Sequence, residues 1–128
     1  MQEDSLLHRQ VHPSFVQGDK ISSQVFTSQV FKPTPKDDNL LSVYNGEIFE
    51  AEESYEHYTE DGKKSVGTVS VSRKECDSND LPVNLDNDPF EGHCSIDYSG
   101  LSNKDISKKA KKLKALATER GWQYQASN

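Results

Sequence analysis

The side chains able to do chemistry in this 128-residue chain gather near its start, as His8, Arg9 and His12, then Ser22-Ser23 and the pair Lys36-Asp37, with His93 far downstream. Arginine offers a planar fork of donors that matches a carboxylate or a phosphate, and neutral imidazoles add directional hydrogen bonds. Hydroxyls and a lysine would complete such a surface. Together these types predict a polar face, built from His8, Arg9, His12, Ser22, Ser23, Lys36, Asp37 and His93, that docks a partner protein or a small anionic ligand.

Other chemistries fit the spacing poorly. His8 and His12 lie among apolar residues before Pro13, so a strand is expected there, and strand positions i and i+4 stand about 13 Å apart, too far to share one zinc ion. No metal site is assigned. His93 beside Cys94 invites a thiolate-imidazole pair, but neighbouring strand residues face opposite ways, which makes Cys94 a core residue. Residues 84–90 superficially suggest a calcium loop and lack its central glycine and distal glutamate. No catalytic residue is assigned, and no cofactor is expected for a binding module.

The elements that must position these groups follow from periodicity. Residues 6–12 read as a first strand stopped by Pro13. Residues 21–31 read as a second strand, in which Ser-Gln-Val-Phe occurs at 23–26 and again at 28–31, with a bulge near Thr27 to keep both copies in phase. The Lys32-Pro33-Thr34-Pro35 segment is a loop. Residues 40–44 form a short strand ending at the Asn45-Gly46 turn. An acidic helix is expected over 48–58 with Ile48, Ala51, Tyr55 and Tyr58 inward, then a half-buried strand over 65–72. Ser72 and Glu75 have capping-box spacing for a short helix. Residues 93–98 supply another strand, and Ser102 to Asp105 cap a final helix whose inner face is Ile106, Ala110, Leu113 and Ala117. Gly121 ends it, with Trp122 and Tyr124 folding back onto the sheet. The order predicts an α+β fold: a small, largely antiparallel sheet packed by an acidic middle helix and a basic C-terminal helix.

Composition bounds the rest. The length suits one domain spanning 1–128, with residues 1–4 expected to be loose. No apolar run is long enough for a signal peptide or a membrane helix, and Cys76 and Cys94 lack a zinc or redox spacing, so a cytoplasmic protein with reduced thiols is expected. The net charge of −6 conceals segregation, because residues 104–120 carry seven basic and two acidic side chains. That basic helix has no aromatic interleaving and the remainder is acidic, which disfavours nucleic acid as a partner.

Two resemblances extend this reading. The string His8-Arg9-Gln10-x-His12-Pro13-x-Phe15, then Ser22-Ser23-Gln24-x-Phe26 and Pro33-Thr34-Pro35-Lys36-Asp37, resembles small bacterial cytoplasmic proteins, and it attaches no activity. The order of His8 and Arg9 on one strand, Ser22-Ser23 on the next and Glu50, Glu52 and Glu53 beyond resembles in outline the ADP-ribosyltransferase fold. That resemblance implies, as the alternative to a binding module, a small enzyme of ADP-ribosyl- or nucleotidyl-transfer type holding NAD or a nucleotide at the same face.

Overall fold

The computed structural model describes residues 1–17 and 25–126. Its frame is a six-stranded antiparallel sheet in the order β6-β7-β4-β1-β5-β8, which with its helices makes the expected α+β fold. The strands are β1 (Leu6–Val11), β4 (Leu40–Asn45), β5 (Gly67–Ser72), β6 (Val83–Asn84), β7 (His93–Asp97) and β8 (Tyr124–Gln125). Two further short strands, β2 (Val16–Gln17) and β3 (Val25–Phe26), pair with each other. The helices are α1 (Ala51–Glu60), α2 (Arg73–Ser78) and α3 (Asn103–Arg120).

Strand alternation gives the sheet two faces of different chemistry. On one, Leu7, Val11, Leu41, Val43, Val69, Val71, Cys94 and Ile96 are buried with Val30, Phe31 and the inner side chains of α3, which are the expected Ile106, Ala110, Leu113 and Ala117. Ser102 caps that helix by accepting from Asp105 N. The other face carries His8, Gln10, Thr68 and Ser70 and is covered by α1, whose one fully buried residue is Ser54. Here hydrogen bonds replace apolar packing. Gln10 donates to Ser54 Oγ at 2.9 Å and accepts from Ser65 Oγ and Thr68 Oγ1 at 3.0 and 3.1 Å.

Several local expectations are corrected. Residues 28–31 form a 3-10 turn capped by Thr27, because Val30 and Phe31 are both buried and adjacent strand residues cannot both face one core. The acidic helix begins at Ala51, and Ile48 is left 45% exposed. Strand β5 is buried at all six positions, since α1 covers its small polar side chains as α3 covers its valines. At the start of the chain Gln2 N donates to Glu47 and Arg73 Nη1 to the Met1 carbonyl. Glycine is required at position 46, where a Cβ would stand 2.4 Å from the Leu6 carbonyl oxygen.

Candidate functional site

One row of sheet register builds the candidate site. Ser70 of β5 pairs with His8 of β1, His8 with Tyr44 of β4, and Tyr44 with His93 of β7, so these four side chains line up across the α1 face. His8 and His93 are two strands apart, about 10 Å by the usual inter-strand spacing. Between the row and the end of α1 lies a concave pocket of about 260 Å³. It is lined by His8, Arg9 and Gln10 of β1, Ser42, Val43 and Tyr44 of β4, Tyr58 and Lys63 from the end of α1 and beyond it, and Pro89, Phe90 and His93.

Arg9 enters this pocket where the sheet opens. The β1–β4 ladder holds only at Leu7 with Asn45 and His8 with Tyr44, and beyond it the strands are unpaired. The guanidinium occupies the gap, donating from Nε to the Val30 carbonyl at 2.8 Å and from Nη1 to the Ser42 carbonyl at 2.9 Å. Among the described residues no carboxylate lies within ion-pair distance of it. Burial pulls its pKa below the ordinary value, against the opposing effect of the Tyr58 and Tyr98 phenols. Arginine remains charged in proteins all the same, so the pocket holds a cation solvated by neutral carbonyls. Among the described residues, two of its five N–H groups are used and three remain. Lys63, whose Nζ lies 5.3 Å from the centre of the Tyr58 ring, adds a second positive charge at the wall.

The two histidines of the row differ in what they have left to offer. His8 Nε2 faces the Phe49 carbonyl at 3.1 Å, which can only accept, so Nε2 carries the proton and Nδ1 accepts from Ser70 Oγ at 2.7 Å. Both ring nitrogens are spent. Burial lowers the pKa of His8, with the Phe49 hydrogen bond opposing. His93 has the opposite tautomer. Its Nδ1 donates to Asp86 Oδ1 at 2.6 Å, while Asp86 Oδ2 accepts from Ser95 Oγ at 2.7 Å. Partial burial of Asp86 would raise its pKa, but the bonds from His93 and Ser95 outweigh it and hold the carboxyl below its usual range. A neutral His93 therefore presents the lone pair of Nε2, the ring nitrogen with no partner among the described residues.

An aromatic cluster sets the wall. Phe90 packs against Tyr44, Phe49, His57 and His93 with ring centroids 5.2, 5.9, 4.3 and 5.4 Å away. The Tyr44 hydroxyl and His57 Nδ1 share a hydrogen bond at 2.9 Å, and burial pushes the Tyr44 pKa up to about 12. The turn carrying Asp86 and Phe90 closes on β4 through Gly92, whose carbonyl accepts from Asn45 N. At φ +99° and with Phe49 2.6 Å from a notional Cβ, this position excludes any other residue.

Of the residues singled out from sequence, His8, Arg9 and His93 come together in the pocket. His12 does not: it caps the 3-10 turn after β1, bonding Ser14 through Nδ1, and is exposed. Lys36 and Asp37 sit in an exposed turn, where Asp37 accepts from Thr34 Oγ1, away from the pocket lining. Ser22 and Ser23 lie outside the described residues. The α1 glutamates serve the helix start, with Glu53 accepting from Glu50 N at 2.9 Å, and none lines the pocket. Cys94 is buried, and burial pushes its thiol up to about 11.

Sequence reasoning missed Asp86, Gln10, Tyr44, Tyr58, Lys63 and Phe90. A signal for Asp86 was present, since His93 and Ser95 are alternate residues on one strand face and both bond the carboxylate supplied by the preceding turn. Among the described residues no group of three or more His, Cys, Asp or Glu side chains could hold a metal ion, and no helix is long and apolar enough to cross a membrane.

Comparison of the chain with protein-family models, with curated proteins and with solved structures finds no match. Fold and site therefore rest on the residues themselves.

Proposed function

We propose that this protein is a small binding module, of bacterial cytoplasmic type, whose pocket receives an anionic group belonging to a small ligand or to the side chain of a partner protein. The observation that carries the reading is Arg9: a partly buried guanidinium in a concave site that, among the described residues, is bonded only to neutral carbonyls and keeps three donors. A charge held away from water without a counter-ion is costly, and an incoming carboxylate or phosphate would offset that cost with paired hydrogen bonds. Lys63 supplies further attraction, and Tyr44, Tyr58 and Phe90 give apolar surface for the body of the ligand. The two free, buried thiols are compatible with a reducing compartment.

One observation favours an enzyme as the second reading. The Asp86-His93 pair fixes the tautomer a general base requires and does so at the pocket wall. The transferase class draws no support from Glu50, Glu52 and Glu53: none lines the pocket, and Glu50 and Glu53 form the capping box of α1.

Calorimetric titration with inorganic phosphate, NAD and mononucleotides tests both readings. Saturable binding of phosphate that Arg9→Met abolishes supports the anion pocket, and turnover of NAD or a nucleotide lost in His93→Gln supports the enzyme. Absence of binding by every anion at millimolar concentration would remove the first reading.

A further inference from the structure

We propose that the Asp86-His93 pair makes the pocket selective for an anion that itself carries a hydroxyl donor, such as a phosphate retaining a P–OH or a hydroxy acid. The inference rests on the anion reading and specifies its ligand. Arg9 can only donate, as can Lys63, so both accept any oxyanion alike. His93 breaks that symmetry. With Nδ1–H directed to Asp86 Oδ1 at 2.6 Å, and Asp86 anchored in turn by Ser95 Oγ at 2.7 Å, the ring is locked with an acceptor at Nε2. An oxyanion without a proton would set a lone pair against this lone pair, while a hydroxyl would complete a hydrogen bond. His8, the other imidazole of the pocket, cannot relax the rule, because Phe49 O and Ser70 Oγ hold both its nitrogens.

His93, Arg9 and Lys63 line the same pocket, so the acceptor and the two cationic donors face one cavity. Under the proposal a ligand held by its charge at Arg9 satisfies His93 with its hydroxyl, beside the apolar surface of Phe90, whose ring lies 5.4 Å from the imidazole. Asp86 does not itself line the pocket, and its two oxygens are engaged by His93 and Ser95, so its negative charge acts through the imidazole.

Two matched pairs of probes test this at mildly alkaline pH, where imidazole is neutral: inorganic phosphate against sulfate, and glycolate against acetate. In each pair the charge and size are close and only the first member has a hydroxyl. The expected result is about tenfold or tighter binding of the hydroxyl-bearing member, the worth of one net hydrogen bond. That preference should fall toward unity in His93→Gln and Asp86→Asn, while binding still depends on Arg9. Equal binding within both pairs, or preference for sulfate and acetate, overturns the inference and leaves the anion reading standing. Failure of all four to bind overturns both. If Asp86→Asn does not fold, the nitrogen chemical shifts of His93 in the unaltered protein decide, because a proton on Nε2 contradicts the argument.

Discussion

Replacing Arg9 by Met asks whether the guanidinium serves the fold or the ligand. Methionine keeps the unbranched stem and removes the charge and two hydrogen bonds, to Val30 O and Ser42 O. Hydrogen bonds from a charged group contribute about 1.5–3 kcal/mol each, and their loss is offset by no longer holding a cation partly out of water, a cost of several kcal/mol. The two effects nearly cancel. Unliganded Arg9→Met should therefore lie within about 2 kcal/mol of the parent, roughly 8 °C in Tm for a chain of this size. Anion binding has no such compensation. Truncating one partner of a hydrogen-bonded charge pair costs about 2–5 kcal/mol, a loss of roughly 30-fold to several thousand-fold in Kd. Thermal unfolding and phosphate titration of the same preparations measure both numbers. A fall in Tm of about 15 °C or more with phosphate affinity unchanged would show that Arg9 exists to satisfy the carbonyls where β1 and β4 separate, and the proposed function would be wrong.

Three further outcomes check the rest. Leu113→Ala empties a fully buried position on the α3 side and should destabilise by about 2–5 kcal/mol in denaturant unfolding without altering phosphate affinity, because Leu113 does not line the pocket. Gln10→Leu should cost about 2 kcal/mol, a modest figure for three lost bonds, because Ser54 and Thr68 can still donate to Ala51 O and Ser65 to Gly67 O. A much larger loss would show that these alternatives do not substitute. His8 has a lowered folded pKa, so the unfolded chain binds its proton first as the pH falls. Its contribution is complete above about 6.5, the unfolded value, and is lost as pH drops from there through the folded pKa. His8→Gln should flatten the stability profile below pH 6.5, and an identical slope in both proteins would refute the assignment.

Much of the scaffold was legible because its elements obey one period each. The inner face of α3 was readable as Ile106, Ala110, Leu113 and Ala117 since helical spacing and a Ser102 cap agree, and Pro13 and Gly121 mark ends by backbone chemistry. The repeated Ser-Gln-Val-Phe misled because composition was the same in both copies, whereas Thr27 accepting from Gln29 N turns the second copy into a 3-10 turn. Of the site, His8, Arg9 and His93 were legible as residue types. Their convergence depends on register across β4, and Lys63, Tyr58 and Phe90 reach the pocket from segments between strands or at a helix end, where no periodicity marks them.

The polar face of the sheet has a consequence for how the site is held. A helix laid over a sheet is ordinarily secured by aliphatic burial, yet α1 covers Gln10, Thr68 and Ser70 and contributes Ser54. Such packing gains less per contact than apolar burial, but every bond is directional. Its direction fixes the row Ser70-His8-Tyr44-His93: Ser70 and Phe49 orient His8, His57 orients Tyr44, and Asp86 orients His93. A one-residue slip of β1 against β4 would turn His8 and Gln10 toward the valines of the α3 side, so the apolar pattern and the polar network select the same register. Arg9 belongs by alternation to the α3 side and lines the pocket at the gap between β1 and β4, so the charge in the pocket exists only in that register.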